Sequence, residues 1–299
     1  MREKAVIISS VRTPIGSFLG SLSSLSAIEL GAIALKEIVK RADIDAGMID
    51  EVIMGNVISA GLGQAPARQA QIKAGIPANV PALTINKVCG SGLKAIMLAA
   101  QAIKAGDGEI FLAGGMESMS NAPYTIPKAR TGYKMGHGEL LDLMIFDGLW
   151  DAFENKHMGV IGEFTAELSG ITREMQDEFA FNSHQKTIKA IDNGWFKDEI
   201  VPVEIPQKKG ESIRIDSDEV PRRETSLEKL SRLKPVFKSD GTITAGNASS
   251  LGDGASAVLV MSESKANDLG LKPRAVITGY AVGSTEPKML FYAPVEAVR

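Results

Sequence analysis

Over its first 118 residues the chain alternates short apolar runs of strand length with segments of helical periodicity, and this alternation restricts the fold more than any other feature. AVIISS (residues 5–10) is closed by Thr13-Pro14 and reads as a buried strand. SAIELGAIALKEIVKR (26–41) reads as a helix. Ser26 and Glu29 stand at capping-box spacing, and Ile28, Leu35 and Ile38 or Val39 recur on one helical face. EVIMGNVI (51–58) and ALTINKV (82–88) are predicted strands on either side of a helix over APARQAQIKAG (65–75). A third helix spans 91–105 and is stopped by Gly106-Asp107-Gly108, and EIFLAGG (109–115) is a fourth strand. Such a pattern predicts a parallel sheet with helices on both faces. In sheets of this kind the chemistry sits at the carboxyl ends of the strands.

The pattern changes after residue 116. Residues 116–250 hold loops rich in Met, Asn, Pro and Gly, with helices near 172–193 and 226–232. Thr225 and Glu228 have capping-box spacing for the second of these. The segment reads as a long insertion, a lid or a subdomain. ASAVLVMS (255–262) resumes the strand signal as a fifth strand of the same sheet. ESKANDLG is a short helix, and RAVITGYAVG (274–283) opens a new strand. YAPVEAVR sets Pro294 where helices begin, with barely one turn after it. The expectation is a fragment, or a protein that has lost its last part.

The charge balance narrows the partners. With 33 basic and 36 acidic residues the net charge is −3, and no block of like charge stands out, which argues against nucleic acid and anionic membranes. No apolar stretch is long enough to span a bilayer, and the run in MREKAVIISSVRTP is too short for a signal peptide, so a cytoplasmic protein is the default. A single cysteine excludes an internal disulfide and a multi-cysteine zinc site, and no metal site is expected.

That cysteine, Cys89, lies in INKVCGSGLKAI, between a strand and a helix. Two readings stand open. A free cysteine is often a buried, inert apolar residue. At the start of a helix, however, unpaired N–H groups favour the thiolate, and Gly90 and Gly92 clear room for a bulky substrate. The following helix is apolar on nearly every side (Leu93, Ile96, Met97, Leu98, Ala99, Ala100, Ile103), which predicts a buried helix holding the sulfur rigidly.

Five blocks, NKVCGSGLKAI, AGGMESMSNAPY, GLWDAF with HMG, DEVPRRETSLEKLSRLKPVF and DGTITAGNASSLGDGASAVL, together resemble the thiolase family, and its biosynthetic type most closely, from residue 4 to 299. The resemblance implies an α/β fold: a first αβα half with an inserted loop domain, followed by a second half that is largely absent here. On that basis residues 1–118 with 251–272 form the N-terminal domain, 119–250 the loop domain, and 273–299 the start of the C-terminal domain. The implied activity is that of an acetyl-CoA C-acetyltransferase, condensing two acetyl-CoA into acetoacetyl-CoA and CoA. Cys89 matches the nucleophile that carries the acetyl group as a thioester, and backbone N–H groups including its own would stabilise the oxyanion. His157 and Met158 match positions beside the pantetheine arm, Arg222 the arginine beside the adenine, and Ser249 the serine that bonds the pantetheine. Leu149, Phe237 and Ala245 match other lining positions. Coenzyme A thioesters are substrates, so no separate cofactor is implied. The family's usual assembly is a homotetramer.

The chain departs from the family in its second half. It lacks the Asn-Glu-Ala-Phe, Gly-His-Pro and Cys-Gly-Gly blocks, which supply a water-positioning asparagine, an activating histidine and an acid/base cysteine. None of His137, His157 and His184 stands in a Gly-His-Pro context. Ser250, Gly252 and Ala293 are smaller departures. The expectations are therefore a thiolase completed by a C-terminal half, a catalytically inactive CoA-binding remnant or partner subunit, or another cysteine-dependent acyltransferase of the same fold. A cysteine hydrolase using His137 or His184 is a distant further reading.

Overall fold

The alternating segments become one mixed sheet with helices on its two faces. A computed structural model describes residues 3–299, and the chain divides into two compact units. The first unit draws on the chain up to Met144, on Lys197–Glu219 and on Leu251–Gly279. It contains β1 (Ala5–Arg12), β2 (Gly16–Ser17), α1 (Ala27–Ala42), β3 (Glu51–Gly55), α2 (Pro66–Lys73), β4 (Ala82–Ile85), α3 (Ser91–Ala105) and β5 (Ile110–Ser118). The ribbon β6 (Tyr124–Thr125) with β7 (Leu141–Asp142), the hairpin β10 (Val203–Ile205) with β11 (Ile213–Ile215), β12 (Gly252–Ser262), α8 (Glu263–Asp268) and β13 (Ala275–Val276) complete it.

The strand order is β13-β1-β12-β5-β3-β4, with β2 paired to β12. Among the described residues, only strands β3, β4 and β5 run parallel. β12 lies antiparallel between β1 and β5, and β13 antiparallel to β1. The expected parallel sheet is thus corrected to a mixed one. A strand that returns after a long excursion enters from either end, and its apolar run carries no direction. Ala275 and Val276 pair with Ile7 and Val6, so the 274–283 segment supplies only a two-residue edge strand, using backbone groups that the outer side of β1 leaves open.

Alternation along β5 sorts the two cores. Ile110, Leu112 and Met116 face α1 and α2, whereas Phe111 and Ala113 face α3. Leu30, Leu35 and Ile38 of α1 are fully buried. At about 1.5–3 kcal/mol each, they outweigh the helix's capping box of Ser26 and Glu29, worth about 1 kcal/mol. On α3 only the face with Ala95, Ala99, Ala100 and Ile103 is buried, and Leu93 is exposed. The all-round burial expected for this helix is corrected, because the sheet covers one side of it.

The second unit comprises Ile145–Phe196, Val220–Ser250 and Tyr280–Arg299. After α4 (Leu143–Phe146), a single turn where the chain passes from one unit to the other, come the ribbon β8 (Trp150–Asp151) and β9 (Lys156–His157), α5 (Met158–Ser169), α6 (Arg173–Asp192), α7 (Leu227–Ser231) and α9 (Ala293–Val298). The N-cap of α7 is Ser226, whose side chain accepts from Lys229 N–H, and not Thr225. Polar groups hold much of this unit. Buried Glu163 accepts from Thr242 N, Thr242 Oγ1 and Ile243 N at 2.8–2.9 Å. Buried Asp177 accepts from Arg173 Nε and Asn247 Nδ2, both at 2.8 Å. Among the described residues no helix is long and apolar enough to cross a membrane.

Candidate active site

The three parallel strands end side by side, and the sequence places a polar residue just past or at each end: Asn56 after β3, Asn86 after β4 and Glu117 near the end of β5. The turn after β4 carries Cys89, which is exposed. This removes the reading of Cys89 as a buried apolar residue. The turn is closely tied. Val88 N donates to Asn86 Oδ1 at 2.9 Å, Lys87 N to Ser91 Oγ at 2.8 Å, and Ser91 Oγ donates to Val88 O at 2.6 Å. Gly90 N and Ser91 N donate to Lys87 O and Val88 O, each at 3.1 Å. Val88 itself has φ +47°, a left-handed conformation that costs a β-branched residue about 1–2 kcal/mol. The hydrogen bonds on both sides of it oppose that cost.

Behind the turn, α3 starts with Gly90 as N-cap and no side-chain cap. Its first turn lies very close to the sheet. A Cβ on Gly55 would stand 2.6 Å from Ser91 Cβ, and one on Gly115 would stand 3.3 Å from Gly92 Cα. Close approach of helix and sheet thus requires glycine at 55 and, less tightly, at 115. At the two glycines expected to clear space for substrate, an added Cβ meets only ordinary contacts: Lys87 O at 3.4 Å from Gly90 and Gly115 N at 3.6 Å from Gly92.

Glu117 was not foreseen as part of this site. Its Oε1 accepts from Asn56 Nδ2 at 2.9 Å and Ile58 N at 3.2 Å, and its Oε2 from Val57 N at 2.8 Å. Burial pushes its carboxyl above the usual range, against the pull of these donors. Asn86 Nδ2 donates to Val57 O at 3.3 Å. The only sequence signal for these residues is Asn86, an Asx-turn former directly after a strand.

In the second unit four of the expected CoA-lining residues meet. His157 and Trp150 pair across the β8–β9 ribbon, and Met158 N donates to Leu149 O at 2.8 Å. His157 caps α5: its Nδ1 accepts from Gly159 N at 3.0 Å. Burial lowers its pKa, and an Nδ1 acceptor requires the neutral ring with the proton on Nε2. The ring stacks on Phe237, with centroids 4.8 Å apart and 22° between planes. Phe237 and Ala245 flank two segments joined by the Pro235–Thr244 bridge and by Val236 N donating to Ile243 O at 3.0 Å. Ala245 and Ser249 are exposed on the loop that follows, which Asn247 pins through Asp177 and Thr242 O. Arg222 is exposed and its N–H donates to His184 Nδ1 at 3.2 Å. The adjacent Arg223 pairs with Asp192, whereas no ion pair of Arg222 is found among the described residues. Among those residues there is also no cluster of His, Cys, Asp or Glu able to hold a metal.

Residues 5–264 match the family model described as thiolase, N-terminal domain. An acetyl-CoA acetyltransferase of Pseudomonas aeruginosa is 55% identical over 297 residues, covering 99% of this chain and 76% of the relative. One from Cupriavidus necator is 54% identical over 292 residues, 98% of this chain and 74% of the relative. A probable acetyl-CoA acyltransferase of Staphylococcus aureus is 52% identical over 295 residues, 99% of this chain and 75% of the relative.

Proposed function

The chain belongs to the thiolase family, and from that membership we propose that it is an acyltransferase of the acetyl-CoA C-acetyltransferase class, working through an acetyl thioester on Cys89. The observation that carries this reading is the exposed Cys89 in a tied turn at the carboxyl ends of three parallel strands.

In the first half-reaction Cys89 Sγ attacks the carbonyl carbon of acetyl-CoA. A C–S bond forms to the enzyme, the C–S bond to coenzyme A breaks, and CoA leaves as a thiolate that takes up a proton. Backbone N–H groups, that of Cys89 among them, stabilise the oxyanion. In the second, a base removes a proton from the methyl group of another acetyl-CoA. The enolate attacks acetyl-Cys89, a C–C bond forms, and the Cys89 thiolate leaves acetoacetyl-CoA. The resemblance assigns that base to a second cysteine, and places it with an activating histidine and a water-positioning asparagine in blocks that residues 1–299 do not contain. Condensation is therefore proposed for this chain acting with such a C-terminal part.

Leu149, His157, Met158, Arg222, Phe237, Ala245 and Ser249 are proposed to contact coenzyme A. The stacked His157–Phe237 pair and the exposed Ser249 loop support that role. Coenzyme A thioesters act as substrates with no other cofactor. A cytoplasmic location, and assembly as a homotetramer or with a complementing C-terminal half, belong to the same proposal and rest on the family likeness. The stacked His157–Phe237 pair serves binding without chemistry and so suits one second reading: a CoA-binding partner subunit that does not turn over.

Exchange of labelled CoA into acetyl-CoA tests the proposal, because it requires only the first half-reaction. Exchange that disappears in Cys89→Ser is the expected result. CoA binding with no exchange would transfer support to the second reading.

A further inference from the structure

Glu117 is a half-buried carboxylate with no cationic partner among the described residues and no part in the chemistry above. Burying a charge costs several kcal/mol unless donors replace the lost water, and here three donors come from one short stretch, residues 56–58. That stretch lies beyond β3, which ends at Gly55, against the sequence expectation of a strand continuing to residue 58.

The peptide group between Val57 and Ile58 is gripped from both sides. Its N–H donates to Glu117 Oε1, and its carbonyl accepts from Asn86 Nδ2. A peptide is planar and rigid, so fixing the N–H fixes where the carbonyl points. Asn86 is exposed, and in water its side chain would be free to turn. Anchored to Val57 O, it presents Oδ1 to Val88 N–H at 2.9 Å. Val88 is the residue held at φ +47° directly before Cys89.

We propose that Glu117 is a positioning residue for Cys89: its carboxylate orients the 57–58 peptide, that peptide orients Asn86, and Asn86 holds the left-handed turn that presents the sulfur. The inference rests on the reading of Cys89 as the acyl acceptor. It concerns the geometry of the turn, which is measurable without any acyl transfer.

The test uses the full chain as wild type, Glu117→Gln, Glu117→Ala, Asn86→Ala and the Glu117→Ala/Asn86→Ala double variant. Residue-resolved hydrogen exchange is the first readout. Glu117→Ala is expected to speed exchange at Val57 and Ile58, which it touches, and also at Val88, which it does not touch, by about tenfold or more. Amides in the middle of α1 should keep their protection, which separates this effect from general loosening. Glu117→Gln keeps one acceptor oxygen and should fall between. The second readout is the rate of Cys89 acetylation by acetyl-CoA. Each single Ala variant should be about tenfold slower, and the double variant no slower than the slower single, because both break one relay. Unchanged Val88 exchange in Glu117→Ala, or additive losses in the double variant, would overturn the proposal. If wild type is not acetylated while the Val88 response appears, the functional reading fails and the positioning stands. If Glu117→Ala does not fold, Glu117→Gln and Asn86→Ala carry the same comparison at Val88.

Discussion

In the first unit the candidate nucleophile sits beyond strands whose core residues, Val52, Met54, Leu112 and Ala113, are wholly buried. In the second, the proposed CoA contacts sit on a two-residue ribbon, a helix cap and a loop held by Glu163, Asp177 and Asn247. Apolar packing gives a side chain one position because any shift opens a void or a clash. Hydrogen-bonded loops tolerate small adjustments, since donors and acceptors re-pair or turn to water. A side chain on the first kind of support is held to one position, and one on the second kind has room to settle.

The largest effect separates chemistry from fold. Cys89→Ser should lower acetyl transfer by a factor on the order of a thousand or more, since the nucleophile is gone. Its melting temperature should stay at the wild-type value, because the side chain is exposed. A large drop in stability would contradict the placement of Cys89 on the surface.

Paired glycine substitutions sharpen the contrast between the units. An added Cβ at Gly114 overlaps the carbonyl of Ser256 on the paired strand β12, and at Gly159 it overlaps the Phe237 ring. Backbone in a central strand cannot move aside, whereas a ring can swing. Gly114→Ala is expected to cost about 3 kcal/mol in urea denaturation. Gly159→Ala should change stability by about 1 kcal/mol or less, because helix propensity offsets part of the clash, while weakening CoA binding through the displaced ring. Equal costs would erase the distinction.

A third test relieves the turn. Val88 is half exposed and left-handed. Val88→Gly should raise stability by at most about 1 kcal/mol, strain relief being partly cancelled by the freedom glycine gains when unfolded. Acetylation of Cys89 should slow at the same time. Faster acetylation would mean that the strained turn holds the sulfur away from its best position.

The smallest expected effect is a pH dependence. Burial lowers the His157 pKa below 6.5, so the unfolded chain takes up the proton first. The stabilisation from this neutral cap is complete above about pH 6.5 and is lost as pH falls through that value toward the folded pKa. His184, lowered by burial and by Arg222, acts in the same window. His157→Asn keeps a capping oxygen without a titrating group. It should flatten part of the decline in melting temperature between neutral and mildly acidic pH, leaving the part due to His184.

Much of the first unit was legible because local signals and tertiary packing agree there. The Ser26–Glu29 box opens α1, Gly106 closes α3, and the apolar runs read as strands at 5–10, 51–58 and 109–115 form strands at 5–12, 51–55 and 110–118. Strand direction was not legible. That β12 enters antiparallel between β1 and β5 depends on where a distant segment returns. α5 was missed since its cap is His157, a residue outside the usual Ser, Thr, Asp and Asn set. In the site, the strand-to-helix setting of Cys89 was legible, but not its exposure, since a free cysteine is as readily buried. The Glu117 network was not, because Glu117 falls just past the strand read over 109–115, where a carboxylate reads as an ordinary solvent-facing position until the loop folding back onto it is seen.

The most direct test of the central claim is intact-mass measurement of the protein before and after acetyl-CoA, followed by peptide mapping. The account predicts a gain of one acetyl group, located on the peptide containing Cys89 and removed when free CoA is added. No gain, or an acetyl group on another residue with Cys89 unmodified, would contradict it.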